Sequence, residues 1–520
     1  MTYSTHNLND TIVALATPPG VGAIGVIRLS GPDAIDIVNE VFHGKDLTKE
    51  ASHTIHFGAI RDDNGRILDE VLASLFVAPK SYTGENVVEV SCHGSNYIIQ
   101  EVIQLFLEKG ARLAQPGEFT LRAFLNGRMD LSQAEAVADL IASASKASHT
   151  IAIQQMRGGF SDEIKKLRQQ LIDFASLIEL ELDFSEEDVE FANRAELKKL
   201  VEKIQSVIGA LIQSFQLGNV LKNGVNTVIA GRPNAGKSTL LNALLNEERA
   251  IVSEIEGTTR DTIEEVLNIK GVQFRIIDTA GIREAENTIE AMGVEKTMQK
   301  VQQSALLVYV FDVVKTQPEE VWADLEKLVH DNVQVLVVAN KMDLNPYTKF
   351  EHYFPKSEVG SEKWEGKWEE GSGKSEDKSE GGNRNWEATE GSPVPEGSPG
   401  SEIGEAHSHF RFPISDFAWV PISAIHSMNI EYLKEKLYEA VLSSEMVLEG
   451  TVVANARHFE ALQKANESLG RVMDGLGAGV TSDFIAMDIR QALYFLGEIT
   501  GEISTEDLLG NIFGRFCIGK

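Results

Sequence analysis

Cysteine is scarce in this sequence, since only Cys92 and Cys517 occur in 520 residues. Two cysteines cannot build a disulfide framework, which excludes the disulfide-stapled secreted class and fits a reducing compartment. The N-terminus also lacks a basic region, and Pro18, Pro19 and Gly20 break its apolar stretch. We therefore expect no signal peptide and no membrane span, and we expect the protein to be cytoplasmic.

Positive charge is also in short supply: 48 Lys and Arg residues face 78 Asp and Glu residues, which gives a net charge of -30. No long run of Lys or Arg occurs. A chain of this kind that acts on RNA needs a local basic patch, or a second protein that supplies most of the affinity. We favour the second protein. The 42% hydrophobic content allows several domains to bury separate cores.

The string GRPNAGKST, from Gly231 to Thr239, follows a strand-like apolar run and precedes a segment with helical spacing. This order is typical of a P-loop. Gly231 and Gly236 let backbone N–H groups face a phosphate, and the helix N-terminus that follows favours anions. Lys237 can then reach the outer phosphates, and the Ser238 hydroxyl can bind Mg²⁺.

Three further strings follow apolar, strand-like runs: DTAG at Asp278 to Gly281, NKMD at Asn340 to Asp343, and Ser423-Ala424. In DTAG, Asp278 can hold the Mg²⁺ shell through water, and Gly281 can approach a terminal phosphate. Asp343 can accept hydrogen bonds from the N1–H and 2-amino group of guanine, which adenine lacks. A backbone N–H of the third string is expected to donate to the guanine carbonyl oxygen. Together the four strings predict a guanine nucleotide site rather than an ATP site.

The chain here resembles the translation-factor-related branch of the Ras-type GTPases, which includes the TrmE, Era and EngA groups. Its other segments narrow the resemblance to the tRNA modification GTPase family MnmE, also called TrmE. These segments are Ala16 to Gly31, Tyr82 to Gly94, Pro116 to Ile141, Glu256 to Asp261 and the C-terminal Gly501 to Lys520, which ends in FCIGK. The resemblance covers nearly all of the chain except about 351–412.

Hydrophobic patterning and the resemblance together predict a multidomain α/β protein. Residues 1–123 are expected to form an α+β domain that binds folate and dimerises, followed by a first helical part at 124–217. A Ras-like, doubly wound GTPase domain at 218–449 is then inserted into the helical domain, whose second part, 450–520, carries the Cys motif. Low apolar content predicts a disordered insertion at about 351–412. This insertion contains Trp364, Trp368 and Trp386. Two interpretations stay open: the tryptophans anchor a binding partner, or the insertion is a tolerated surface loop.

The resemblance also implies how hydrolysis is helped. Ile282 stands where many Ras-like GTPases have a Gln, so the water-orienting role falls to Glu290. K⁺ bound by Asn234, Ser253, Ile255 and Thr258 replaces an arginine finger, and Ser238 and Thr259 bind Mg²⁺. Glu256, in the same loop as Ser253 and Thr258, departs from the family pattern, which commonly has a small residue there. The full predicted nucleotide set is Asn234, Ala235, Gly236, Lys237, Ser238, Thr239, Ser253, Glu254, Ile255, Glu256, Gly257, Thr258, Thr259, Asp278, Thr279, Ala280, Gly281, Asn340, Lys341, Asp343, Ser423 and Ala424.

A second site is implied by the resemblance for 5-formyl- or methylene-tetrahydrofolate, and its matching residues are Arg28, Glu89, Arg128 and Lys520. A carboxylate can accept hydrogen bonds from a pterin, and Arg or Lys can hold a glutamate tail. Cys517 has two interpretations, a catalytic thiol whose thiolate Lys520 favours, or a small buried hydrophobe. Cys92 is interpreted as a core residue.

The resemblance implies a K⁺-activated GTPase that works with the flavoprotein MnmG (GidA). The pair would add an aminomethyl or carboxymethylaminomethyl group to the wobble uridine of certain tRNAs, with a folate one-carbon unit. A homodimer through the N-terminal domain and a GTP-dependent contact between GTPase domains are also implied. Two alternatives stay open: a GTP switch in ribosome assembly, although no KH-like RNA-binding appendage is visible, and a folate-dependent transferase regulated by GTP.

Overall fold

The computed structural model describes residues 9–183, 194–246, 264–277, 304–329, 333–354, 418–441 and 452–519. The N-terminal domain is a seven-stranded sheet in the order β3-β4-β5-β6-β2-β1-β7. Its strands are β1 (Ile12–Leu15), β2 (Ile24–Ser30), β3 (Phe42–His43), β4 (Thr54–Arg61), β5 (Ile67–Phe76), β6 (Val87–His93) and β7 (Arg112–Leu113). Helices α1 (Ala34–Val41) and α2 (Asn96–Glu108) join one face of this sheet in a shared apolar core. The predicted α+β domain is confirmed.

The first helical part contains α3 (Glu118–Leu125), α4 (Leu131–Ala142), α5 (Lys146–Met156), α6 (Gly159–Asp183) and α7 (Arg194–Asn223). Capping explains where two of these helices begin: Asp130 and Gln133 form a capping box at α4, and Ser145 and Ser148 form one at α5. Helix α7 continues to Asn223, past the boundary expected at residue 217, because its last two turns pack on the GTPase core.

The GTPase domain is a six-stranded sheet in the order β13-β12-β11-β8-β10-β9. Its strands are β8 (Val225–Ala230), β9 (Glu264–Ile269), β10 (Val272–Ile277), β11 (Leu306–Asp312), β12 (Gln334–Asn340) and β13 (Ala418–Pro421). All neighbours are parallel except β9 and β10. The described helices are α8 (Lys237–Asn246), α9 (Pro318–Leu328), α10 (Phe350–Tyr353) and α11 (Ile430–Val441). The carboxyl ends of β8, β10, β12 and β13 precede the four predicted strings, as expected for a doubly wound fold.

The second helical part consists of α12 (Ala456–Ala478), α13 (Ser482–Thr500) and α14 (Glu506–Phe513). Helices α12 and α13 bury their apolar stripes against α6 and α7 in one core, although more than 200 residues separate the two halves in sequence. This confirms a discontinuous helical domain with the GTPase domain inserted into it. Among the described helices, none is both long enough and apolar enough to span a membrane.

The first residues of the insertion predicted at about 351–412 overlap a described helix. Residues 350–353 form α10, and the side chains of Tyr353 and Phe354 are buried in the GTPase core. Trp322 of α9 donates a hydrogen bond from its ring nitrogen to the Tyr353 carbonyl at 2.7 Å. Phe350, Tyr353 and Phe354 recur at helical spacing, and their rings pack into the GTPase core together. The rest of the predicted insertion lies outside the described residues.

Candidate guanine-nucleotide and one-carbon sites

The loop between β8 and α8 requires glycine at two places. Gly231 has φ +149° and Gly236 has φ +97°, values that other residues rarely adopt. A Cβ at Gly231 would lie 2.0 Å from the Val310 carbonyl oxygen, and one at Gly236 would lie 2.2 Å from Asn340 Nδ2. The loop therefore packs its backbone directly against β11 and β12, as a P-loop must in order to turn its N–H groups inward.

Lys237 opens α8 and folds back over this loop. Its Nζ donates to the carbonyls of Gly231 at 2.6 Å and Arg232 at 2.9 Å. Burial lowers the pKa of Lys237. Asn234, the predicted K⁺ ligand, is exposed and has a left-handed backbone with φ +63°. The predicted residues Ser238 and Thr239 lie in the first turn of α8.

Asn340 joins three of the four predicted strings. Its Nδ2 donates to the Ala235 carbonyl at 2.8 Å, and its Oδ1 accepts from the backbone N–H groups of Lys341 at 2.8 Å and Ala424 at 3.0 Å. Lys341 Nζ in turn donates to the Asn234 carbonyl at 3.1 Å. The strings are therefore held at one edge of the sheet by bonds between them.

At the base-recognition end, Asp343 Oδ1 is buried without a hydrogen-bond partner, and Oδ2 lies 3.7 Å from His426 Nε2. A buried carboxylate oxygen without a partner is costly, so it fits a ligand that brings N–H donors. The prediction that a backbone N–H of the Ser423-Ala424 string donates to guanine remains a prediction, and both N–H groups have protein partners in this conformation. The Ala424 N–H donates to Asn340, and the Ser423 N–H donates to the Met428 carbonyl at 3.3 Å.

The sequence interpretation missed Arg232, which ties the P-loop to α9. Its Nε and Nη2 donate to the two Asp324 carboxylate oxygens at 2.7 and 3.2 Å, and Nη1 donates to Glu320. Tyr309 of β11 donates its hydroxyl to the same Asp324 at 2.7 Å. The second residue of the P-loop string is therefore an anchor of the loop, and an arginine among small residues was its only signal.

Several predicted residues lie outside the described part of the chain. They are Ser253, Glu254, Ile255, Glu256, Gly257, Thr258, Thr259, Asp278, Thr279, Ala280, Gly281, Glu290 and Lys520. The structure thus describes one predicted ligand each for Mg²⁺ and K⁺, Ser238 and Asn234. Within the described ranges, no group of three or more His, Cys, Asp or Glu side chains could hold a metal ion.

The structure brings Arg28 and Glu89 together on neighbouring strands, β2 and β6, where they are register partners. Arg28 Nε and Nη2 both lie 2.8 Å from Glu89 Oε1. The guanidinium carbon lies 5.8 Å from the centre of the Tyr82 ring and 5.6 Å from that of Phe119. Arg28 Nη1 donates to the carbonyl of Gly519 at 3.1 Å, so the C-terminus reaches this site.

Arg128 is exposed, and its side chain flanks Gly84. Tyr82 and Gly84 are two residues apart in the loop between β5 and β6, so Arg28 and Arg128 lie beside neighbouring residues of that loop. Cys517 is exposed, which rules out its interpretation as a buried hydrophobe. Cys92 is buried, as expected, and burial with the nearby Asp69 raises the pKa of its thiol to about 11.

Two family profiles match this chain: "GTP-binding protein TrmE N-terminus" over residues 11–128 and "MnmE helical domain" over residues 131–517. A tRNA modification GTPase MnmE of Cytophaga hutchinsonii is 52% identical over the full length of both chains. The chain belongs to the MnmE family. The MnmE proteins of Christiangramia forsetii and Bacteroides fragilis are 51% and 45% identical, and each alignment covers at least 98% of this chain and 99% of the relative.

Solved structures give a weaker likeness. An Aquifex aeolicus Era variant bound to GDP and AlF₄⁻ matches 47% of this chain and 66% of its own at 20% identity, with a TM-score of 0.25. That score is too low to carry an argument. The family assignment of this tRNA modification GTPase therefore rests on the profiles and the full-length MnmE relatives.

Proposed function

We propose that this MnmE-family GTPase is activated by K⁺ and works with MnmG (GidA) on the wobble uridine of certain tRNAs. The reaction adds an aminomethyl or carboxymethylaminomethyl group. The observation that carries the proposal is the pairing of two separate sites in one chain. One is a P-loop edge with an unpartnered buried Asp343 oxygen, and the other is the Arg28–Glu89 pair beside the C-terminus.

At the nucleotide site, the P-loop N–H groups and Lys237 bind the phosphates, and the Asp343 carboxylate accepts from the guanine N1–H and 2-amino group. Ser238 and Thr259 are the proposed Mg²⁺ ligands. Asn234, with oxygens of Ser253, Ile255 and Thr258, is the proposed K⁺ ligand set. These ions supply positive charge where negative charge develops during phosphoryl transfer. Glu290 is the proposed residue that orients the attacking water.

At the one-carbon site, a reduced folate supplies the transferred carbon when it is bound. Glu89 is the proposed acceptor of hydrogen bonds from the pterin, and the lack of a donor to its Oε2 among the described residues supports this role. Arg128 and Lys520 are the proposed contacts of the glutamate tail. Cys517 is proposed as a catalytic thiol. Its exposure near Gly519, whose carbonyl accepts from Arg28, supports this role.

Partners are proposed from surface character. On the β4–β5 side of the N-terminal sheet, Ile55, Phe57 and Leu72 are 65%, 66% and 45% exposed, and Phe57 and Leu72 are register partners. Such an apolar face supports a homodimer through this domain. A GTP-dependent contact between GTPase domains is part of the proposal. The net charge of -30 favours MnmG as the main source of tRNA affinity.

The test separates the two sites. In a Cys517→Ser variant, phosphate release from GTP is expected to stay near the unmodified rate, because Cys517 is distant in sequence from every nucleotide string. Wobble-uridine modification, read by mass spectrometry of tRNA nucleosides from cells carrying the variant, is expected to fail. Normal modification would remove Cys517 from the chemistry. Wobble uridines that are fully modified in a gene-deletion strain would refute the proposed function itself.

A further inference from the structure

The C-terminal tail, defined as residues 514–519, packs against the first helices of the helical part and then against the N-terminal domain. Phe516 is buried with Phe513 in an apolar cluster that includes Leu121 and Leu131. The Gly117 N–H donates to the Cys517 carbonyl at 3.3 Å. Two independent contacts, one apolar and one polar, therefore hold the tail before it reaches Gly519.

Gly519 occupies a place that no other residue fits. Its φ is +93°, and a Cβ there would lie 2.3 Å from the Leu15 carbonyl oxygen and 3.1 Å from Ala16 Cα. Both obstacles are backbone atoms of the N-terminal domain, which cannot rotate away as a side chain would. The Gly519 carbonyl can approach Arg28 only because this residue has no side chain.

Arg28 is fully engaged by the protein itself. Two of its nitrogens bond one oxygen of Glu89, the third bonds the Gly519 carbonyl, and the guanidinium lies beside the rings of Tyr82 and Phe119. Its side chain is only 15% exposed. An arginine in this setting is better suited to fixing its neighbours than to clamping the mobile tail of a ligand.

We propose that Gly519 is a positioning residue of the one-carbon site. Its carbonyl and the Glu89 carboxylate hold Arg28 between them, so Arg28 links the docked tail to the orientation of Glu89. Docking of the tail and binding of a reduced pterin at Glu89 are then coupled, and each stabilises the other. This inference rests on the folate binding in the proposed function.

The test compares Gly519→Ala with Gly65→Ala in the full-length protein. Gly65 also has positive φ, at +79°, but a Cβ there meets nothing within 4 Å, so it controls for backbone strain alone. Affinity for (6S)-5-formyltetrahydrofolate is measured by calorimetry, and tail docking by hydrogen exchange of peptides spanning residues 514–519. We expect at least tenfold weaker binding and faster tail exchange in Gly519→Ala, with Gly65→Ala close to the unmodified protein.

A second variant, Arg28→Lys, keeps the charge but loses the planar fork, so one ammonium cannot replace all three bonds. It should also speed exchange in the tail, and GTP hydrolysis measured in parallel reports that each variant is folded. Unchanged binding and exchange in Gly519→Ala would overturn the inference. If the unmodified protein binds no reduced folate, the folate part of the proposed function fails instead, and the two failures are distinct.

Discussion

Replacing Glu135 by Gln should destabilise the junction between the two helical parts. Glu135 of α4 accepts two bonds from Arg457 of α12, both at 2.9 Å, and lies 2.7 Å from His458 Nε2. Arg457 also donates to the carbonyls of Glu498 and Ile499 at the end of α13. Burial lowers the pKa of His458, and its Nε2 donates to Glu135 because a carboxylate can only accept. One carboxylate therefore holds three helices.

The magnitude follows from the pKa of Glu135. Burial alone would raise this pKa, but the bonds to His458 and Arg457 outweigh burial and lower it from 4.5 to about 2. Because the pKa of Glu135 is lower in the folded state than in the unfolded state, its ionised carboxylate stabilises the fold above about pH 4.5. This contribution is lost as the pH falls towards 2. The shift corresponds to about 3 kcal/mol, close to the ~3–5 kcal/mol cost of breaking a buried ion pair.

Urea unfolding followed by far-ultraviolet circular dichroism measures this loss. At pH 7 the Glu135→Gln variant should lose about 3 kcal/mol, and the gap should narrow between pH 4.5 and pH 3. Glu467→Gln is the matched control, because Glu467 is exposed on the same α12 helix. We expect the control to change stability by less than about 0.5 kcal/mol. Equal stability of Glu135→Gln and the unmodified protein at pH 7, or a gap that persists in acid, would refute the reasoning.

Three further predictions concern the nucleotide site. Asp343→Asn should weaken GDP binding by roughly 10²-fold or more and favour xanthine nucleotides, because a charged acceptor is replaced by an amide. Equal GDP affinity of the variant and the unmodified protein in a fluorescence titration would contradict this. GTP hydrolysis should be much faster in K⁺ than in Na⁺ at equal ionic strength, and Asn234→Ala should remove most of the difference; one rate in both salts would end the K⁺ proposal. Arg232→Ala should raise the KM for GTP several-fold, because it releases the P-loop from Asp324 of α9. Lys327→Ala, which is also in α9, is the control and should leave the KM unchanged. An unchanged KM in Arg232→Ala would show that the anchor is dispensable.

The phosphate-binding half of the nucleotide site could be predicted from the sequence because its geometry is local. The backbone path of the nine-residue P-loop string requires Gly231 and Gly236. The flanking strand and helix are predicted by the spacing of their apolar residues. The base-binding half depends instead on contacts between strings that are far apart in sequence. Asp343 has a buried oxygen without a hydrogen-bond partner, and Asn340 accepts from the Ala424 N–H across 84 residues of sequence, a bond that no local pattern predicts.

The one-carbon site shows a different limit, since its residue types were predictable but their roles depend on contacts between the two ends of the chain. Arg28 and Gly519 are 491 residues apart, and neither position carries a periodic signal that points to the other. An arginine in a ligand site is ordinarily expected to meet the ligand's charge. Here its three nitrogens are already bonded within the protein, which supports the positioning role proposed for this end of the chain. A Cβ on the glycine of the terminal FCIGK string would meet backbone atoms of Leu15 and Ala16, a constraint that only the three-dimensional structure shows.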